Sequence, residues 1–129
     1  MKLEEQDQQF CQNSDNSILC ITTLIYAKAR LNDDLDRFKN RIRSASPISD
    51  SQIPNIVTSC QKGLQKLAQT TFTPQFSQNY QNYRYFQGTA LALLGQFSHQ
   101  GSNGMIEQKR YICFYINGPQ GLTIPIIEE

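Results

Sequence analysis

The chain contains one histidine, His99, and none of its four cysteines stands in a Cys-x-x-Cys pair. A metal site needs ligands that converge on one ion, and the usual helical spacings for this, His-x-x-x-His or Glu-x-x-His, do not occur. Gly-x-Ser-x-Gly elbows and phosphate-cradling glycine loops are also missing. The expectation is therefore a non-enzymatic chain with no catalytic residue, no cofactor and no metal. Charge of one sign is not in excess either. Twelve Lys and Arg face eleven Asp and Glu, so any basic patch must be local. The longest apolar run, "SILCITTLIYAKA", is too short to cross a bilayer, and no membrane span is expected. The opening "MKLEEQDQQF" is acidic and has neither the shape of a secretory signal nor that of a transit peptide. A soluble, intracellular protein follows from these features.

What is present suggests a single domain over all 129 residues. Asn and Gln together account for 25 positions, a polar bias without net charge that still leaves enough apolar residues for a core. The positions Ile21, Leu24, Lys28, Leu31, Leu35, Phe38 and Ile42 advance in alternating steps of three and four, the stripe of a helix over about 17–44. Its start is marked by "NSDNS", whose polar side chains suit an N-cap, and its end by "SASP". A second stripe, Ile53, Val57, Cys60, Leu64, Leu67 and Thr71, gives a helix over about 51–71 with Asp50 or Ser51 as cap; Gly63 within it suggests the close approach of a neighbouring helix. A third, Phe76, Tyr80, Tyr83, Gln87, Ala90, Leu94 and Phe97, gives a helix over about 74–99, opened by Thr73 and Pro74 and stopped by "HQGSNG". After Gly104 the pattern changes. "RYICFYI", "NGPQG" and "LTIPII" read as a β-hairpin over about 106–127, with Ile112, Phe114 and Ile116 on one face and Tyr111, Cys113 and Tyr115 on the other. Pro125 has no amide proton and confines the last strand to an edge. The fold class expected is mainly α, a three-helix bundle with a C-terminal hairpin.

Five features invite a chemical reading. His99, beside the expected helix end, reads as a surface or capping residue. Asp33, Asp34 and Asp36 do not form a catalytic cluster on a helix, where Asp33 faces Arg37, and Asp36 faces Lys39 and Asn40. In "NYQNYRYF" the helical spacing sends Tyr80 and Tyr83 to the core and leaves Arg84 and Tyr85 on the surface, where they could stack an exposed base. In "DDLDRFKNRIR" the bases flank the buried Phe38 and Ile42 without forming one patch, and Arg41 and Arg43 remain for a partner. For Cys11, Cys20, Cys60 and Cys113, buried free thiols are expected, with disulfides as the alternative. A bridge from Cys20 to Cys60 is geometrically conceivable, and Cys11 and Cys20 enclose eight residues.

Residues 20–64, through "CITTLIYAKARLNDDLDRF" and "SCQKGL", resemble the caffeine-induced death protein family, which carries an Arg-x-x-Asp-Asp element between two cysteines. Cys20, Arg30, Asp33, Asp34 and Cys60 carry the resemblance; Asp36 and Phe38 depart from the family pattern. It implies a small helical protein of the mitochondrial intermembrane space.

The functional expectation is a protein-interaction module, acting as subunit, adaptor or inhibitor in an assembly. Its contacts would be Tyr111, Phe114, Tyr115, Ile124, Arg41, Arg43 and Tyr85. A protein partner or a second copy of the chain is favoured over the alternative, single-stranded nucleic acid held by the basic helix end and exposed aromatics.

Overall fold

The computed structural model describes residues 5–30, 35–68, 75–100, 104–118 and 121–128. Four helices, α1 (Glu5–Gln12), α2 (Ser17–Arg30), α3 (Leu35–Ser44) and α4 (Ile53–Ala68), precede five strands, β1 (Gln75–Phe76), β2 (Gln81–Tyr85), β3 (Ala90–Gln100), β4 (Ile106–Ile116) and β5 (Leu122–Ile127). The strands form one antiparallel sheet in which β1 and β2 both pair with β3, followed by β4 and β5. This α+β architecture replaces the expected three-helix bundle. The hairpin over 106–127 is present, but as half of a larger sheet.

The correction lies in the segment expected as a helix over 74–99. Its core, "ALALL", becomes buried strand, with Ala90 and Ala92 packed on one face and Leu91 and Leu93 on the other. A strand covered on both faces loses the alternation that identifies a strand, and short apolar runs of that kind do not separate strand from helix. Thr73 and Pro74 lie outside the described residues.

The helices sandwich this sheet. Against one face, Cys11, Cys20, Leu24, Ala27, Leu35, Phe38 and Ile42 of α1 to α3 pack on Tyr85, Phe114, Ile116 and Ile124. Against the other, Ile56, Cys60 and Leu64 of α4 pack on Leu91, Leu93, Tyr111 and Cys113. The region expected as one helix over 17–44 contains α2 and α3, with residues 31–34, Leu31, Asp33 and Asp34 among them, outside the described set. Asn16 caps α2, its Oδ1 accepting the Leu19 N–H at 3.0 Å. The register read for α3 matches, since Phe38 and Ile42 are buried. Gly63 does mark a close approach, but to a strand: a Cβ there would lie 2.9 Å from Cγ of Pro125 in β5. Pro125 sits on an edge strand, as its missing N–H requires.

Two disulfides reinforce this arrangement. Cys11–Cys20 closes the α1–α2 corner, and Cys60–Cys113 ties α4 to the centre of β4. The disulfides overturn the expected free thiols in favour of the alternative, and the conceivable Cys20 to Cys60 bridge is excluded because Cys20 and Cys60 lie on opposite faces of the sheet. Asn117 fixes the loop after α3 to the sheet: its Nδ2 donates to the Ser46 carbonyl at 2.8 Å, and its Oδ1 accepts from Gln52 at 3.2 Å.

Candidate binding groove

The helices do not cover the whole sheet. In β3 and β4 the register runs from Ala90↔Ile116 to Gln100↔Ile106, and burial falls along it. Leu94 and Ile112 are half-buried and Gln96, Gln108 and Arg110 are exposed. Here the sheet edge is also irregular. Phe76 pairs with Phe97 and Gln81 with Leu94, so the edge chain advances five positions while β3 moves back three. The two surplus residues make a bulge over 77–80, anchored where the Ser77 N–H donates to the Gln96 carbonyl at 2.9 Å.

Between this bulge and the outer parts of β4 and β5 lies a groove of about 950 Å³. Ser77, Gln78, Asn79, Tyr80, Gln81 and Asn82 border it on the bulge side, Leu94, Gly95 and Gln96 run along it, and Arg110, Tyr111 and Glu128 complete it. Five residues with planar side-chain amides therefore border it, Gln81 and Gln96 on the sheet face of Leu94 and Asn82 on the opposite face with Leu93. Each carries two N–H donors and a carbonyl acceptor. Gln81 accepts a bond from the Tyr83 hydroxyl at 3.1 Å; the side chains of Gln78, Asn82 and Gln96 have no hydrogen bond to any described residue. The two charges compensate each other, Arg110 Nε lying 2.9 Å from Glu128 Oε2.

An aromatic layer supports the groove from beneath. The Tyr111 ring lies over Gly95, its cross-strand partner, so closely that a Cβ there would meet Tyr111 Oη at 2.6 Å. Phe76 meets Tyr111 edge-on at 6.0 Å, and Phe97 lies 5.4 Å from Phe76. Burial raises the Tyr111 phenol above its ordinary pKa, and the neighbouring Tyr80 raises it further. The Tyr111 hydroxyl stays protonated at neutral pH, able to donate as well as accept.

The residues chosen from sequence scatter. Phe114, Ile124 and Tyr85 lie in the core, and Tyr111 is 3% exposed. Their expected exposure is removed by the helices packed on both faces of the sheet. Tyr85 sits under the helices with its hydroxyl 2.6 Å from Thr23 Oγ1, and burial pushes its pKa up strongly. It is closed to base stacking. Arg84, its expected companion, pairs with Asp50. Tyr115 is half-buried and bonds Asn117 at 3.3 Å. Arg41 reaches the Gly121 carbonyl at 3.4 Å, and Arg43 borders a second, smaller cleft. His99 belongs to β3, where it stacks on Phe97 and lies 3.7 Å from Glu107, and is no helix cap.

Wrong periodicity explains the inversion. On a helix, Tyr80 and Tyr83 would face inward and Tyr85 outward; on a strand of period two, Tyr83 and Tyr85 share a face, and only Tyr85 lies under the helices. The groove amides went unnoticed because their common position depends on the bulge. The sequence signal was compositional, the run of Gln, Asn and Tyr in "QFSQNYQNYRY".

No protein-family model matches the chain, and neither a curated protein nor a solved structure does. Cys20 and Cys60, the two cysteines of the likeness to the caffeine-induced death proteins, are bonded to Cys11 and Cys113. Among the described residues, no helix is long and apolar enough to cross a membrane, and no group of three His, Cys, Asp or Glu is placed to hold a metal.

Proposed function

We propose that the protein is a non-enzymatic interaction module of an oxidising compartment, holding an extended segment of a partner protein along the bulged edge of its sheet. The mitochondrial intermembrane space is one such compartment. The carrying observation is the unspent amide set of Gln78, Asn82 and Gln96 beside a strand with a free edge.

Chemistry supports a peptide as occupant. Among the described residues β2 pairs only with β3, so alternate residues of β2 turn their N–H and C=O groups outward, a template for one further strand. Side-chain amides match a peptide backbone, donor to carbonyl and acceptor to N–H. Tyr83, exposed on β2, offers apolar contact to the partner's side chains. The bulge limits how far a second copy of the chain could pair along this edge, which favours a different partner over self-association. The disulfides support the compartment, since reducing cytosol disfavours them.

The test is selection of linear peptides from a displayed library on the oxidised protein, followed by NMR mapping of a selected peptide. Shifts are expected at the backbone amides of β2 and the side-chain NH₂ groups of Asn82 and Gln96. Affinity should change little with salt, because the groove's charges are internally paired. Peptides that map elsewhere would overturn the reading, as would an oligonucleotide that binds the same residues with steep salt dependence.

A further inference from the structure

The loop from β2 to β3 holds a backbone feature that the groove does not use. Phe86 and Gln87 have φ of 53° and 54°, the left-handed region that bulky side chains seldom enter, and Gly88 follows at 84°. Local bonds hold this conformation. The Asp15 carboxylate accepts the Phe86 N–H at 2.8 Å, and Thr89 donates to the Phe86 carbonyl from its N–H at 3.1 Å and its Oγ1 at 2.7 Å. The consequence is the position of one ring: Phe86 lies 5.6 Å from Phe10.

Beside this ring pair lies a cleft of about 320 Å³, lined by Phe10, Ile42, Ala45 and Phe86, with Asn13, Arg43, Gln87 and Thr89 as its polar members. That volume lies at the small end for ligand sites. Its one charged lining residue is Arg43, whose guanidinium lies 5.8 Å above the Phe10 ring. Arg43 spends one donor on Asn40 Oδ1 at 3.0 Å; among the described residues its other donors have no acceptor. Lys39 also lies over Phe10, but its ammonium is paired with Asp7. Asp15 is engaged by Phe86 and Ser14. The balance at the cleft is an apolar slot with one available cation.

We propose that this cleft binds a small amphiphilic carboxylate, an aliphatic or aryl acid whose tail lies against Phe10 and Phe86 and whose carboxylate pairs with Arg43. Planar guanidinium and carboxylate match in two parallel hydrogen bonds, which an alcohol cannot reproduce and a cation opposes. The site shares no residue with the groove and does not depend on the peptide reading.

The experiment titrates the oxidised full chain with octanoate, 1-octanol and octylammonium below micelle-forming concentrations, followed by NMR shifts at Ala45, Gln87 and Thr89. Octanoate should saturate these shifts, with octanol about tenfold weaker or more and octylammonium weaker still. Arg43→Gln should weaken octanoate by about tenfold and leave octanol unchanged. Phe86→Gly suits the left-handed backbone, so it should keep the fold while losing all binding. Absence of saturable octanoate shifts at the cleft, equal binding of octanoate and octylammonium, or full affinity in Arg43→Gln would each overturn the proposal.

Discussion

The same two strands, β3 and β4, lead different lives at their two ends. Where Ala90 to Leu93 pair with Cys113 to Ile116, helices cover both faces and a disulfide fastens the sheet to α4. Where Gln96 and Ser98 pair with Arg110 and Gln108, amides and charges face an open groove and the edge strand is bulged. Stability is thus concentrated at the packed end, and the outer end is left to present polar groups without a structural duty. A sheet read this way predicts that substitutions should sort by their position along the strands.

The largest effect should come from the packed end. Replacing Cys60 and Cys113 together by Ala opens a loop spanning 53 residues. Loop-closure entropy puts the cost at about 4 kcal/mol, against about 2.5 for the short Cys11 to Cys20 loop. Urea denaturation of the two double variants should rank them in that order. Next comes Gly63→Ala, whose methyl would press on the Pro125 ring; overpacking of about 1–3 kcal/mol should outweigh the gain in helix propensity of about 1 kcal/mol. A melting temperature above that of the unaltered protein would show that α4 and β5 can separate freely.

Tyr85→Phe is the third. It removes the hydroxyl that bonds Thr23, while Thr23 keeps its bond to the Leu19 carbonyl at 2.7 Å, so the loss should be about 1 kcal/mol. The same residue sets an alkaline limit. Its folded pKa is raised above the ordinary 10.0, so the folded state retains a proton that the unfolded state releases. Stability from this group is complete below about pH 10 and falls as pH rises beyond it. Chemical denaturation between pH 9 and about pH 11.5 should show that decline in the unaltered protein and a shallower one in Tyr85→Phe. The smallest effect belongs to the border of the groove: Asn82→Ala and Gln96→Ala should each change stability by less than about 0.5 kcal/mol.

How much of this could be seen beforehand follows the same division of the chain. The hairpin of β4 and β5 was legible because "NGPQG" separates two runs of aromatic and β-branched residues, and Pro125 marked its edge. The helical stretches of α2, α3 and α4 were legible from their apolar stripes, with α2 and α3 read as one helix and α1 not read at all. β3 was not, because Ala and Leu favour helices and its double burial hides the period of two. The turn before it was hidden too: mirror-image hairpin turns favour Asn-Gly or Asp-Gly, whereas here Gln87 and Gly88 take the positive φ values after Phe86. Of the candidate contacts, Arg43 reaches a cleft on the surface because α3 was read correctly. Tyr85 and Phe114 were misplaced because the layer covering them belongs to helices distant in sequence.

The division between the two ends is tested most directly by the double variant Asn82→Ala with Gln96→Ala, compared with the unaltered protein for both melting and affinity toward a library-selected peptide. The account predicts an unchanged melting curve and affinity lower by roughly thirtyfold, about 1 kcal/mol for each lost hydrogen bond. Unchanged affinity would contradict it, and so would a weakened affinity that only accompanied loss of the fold.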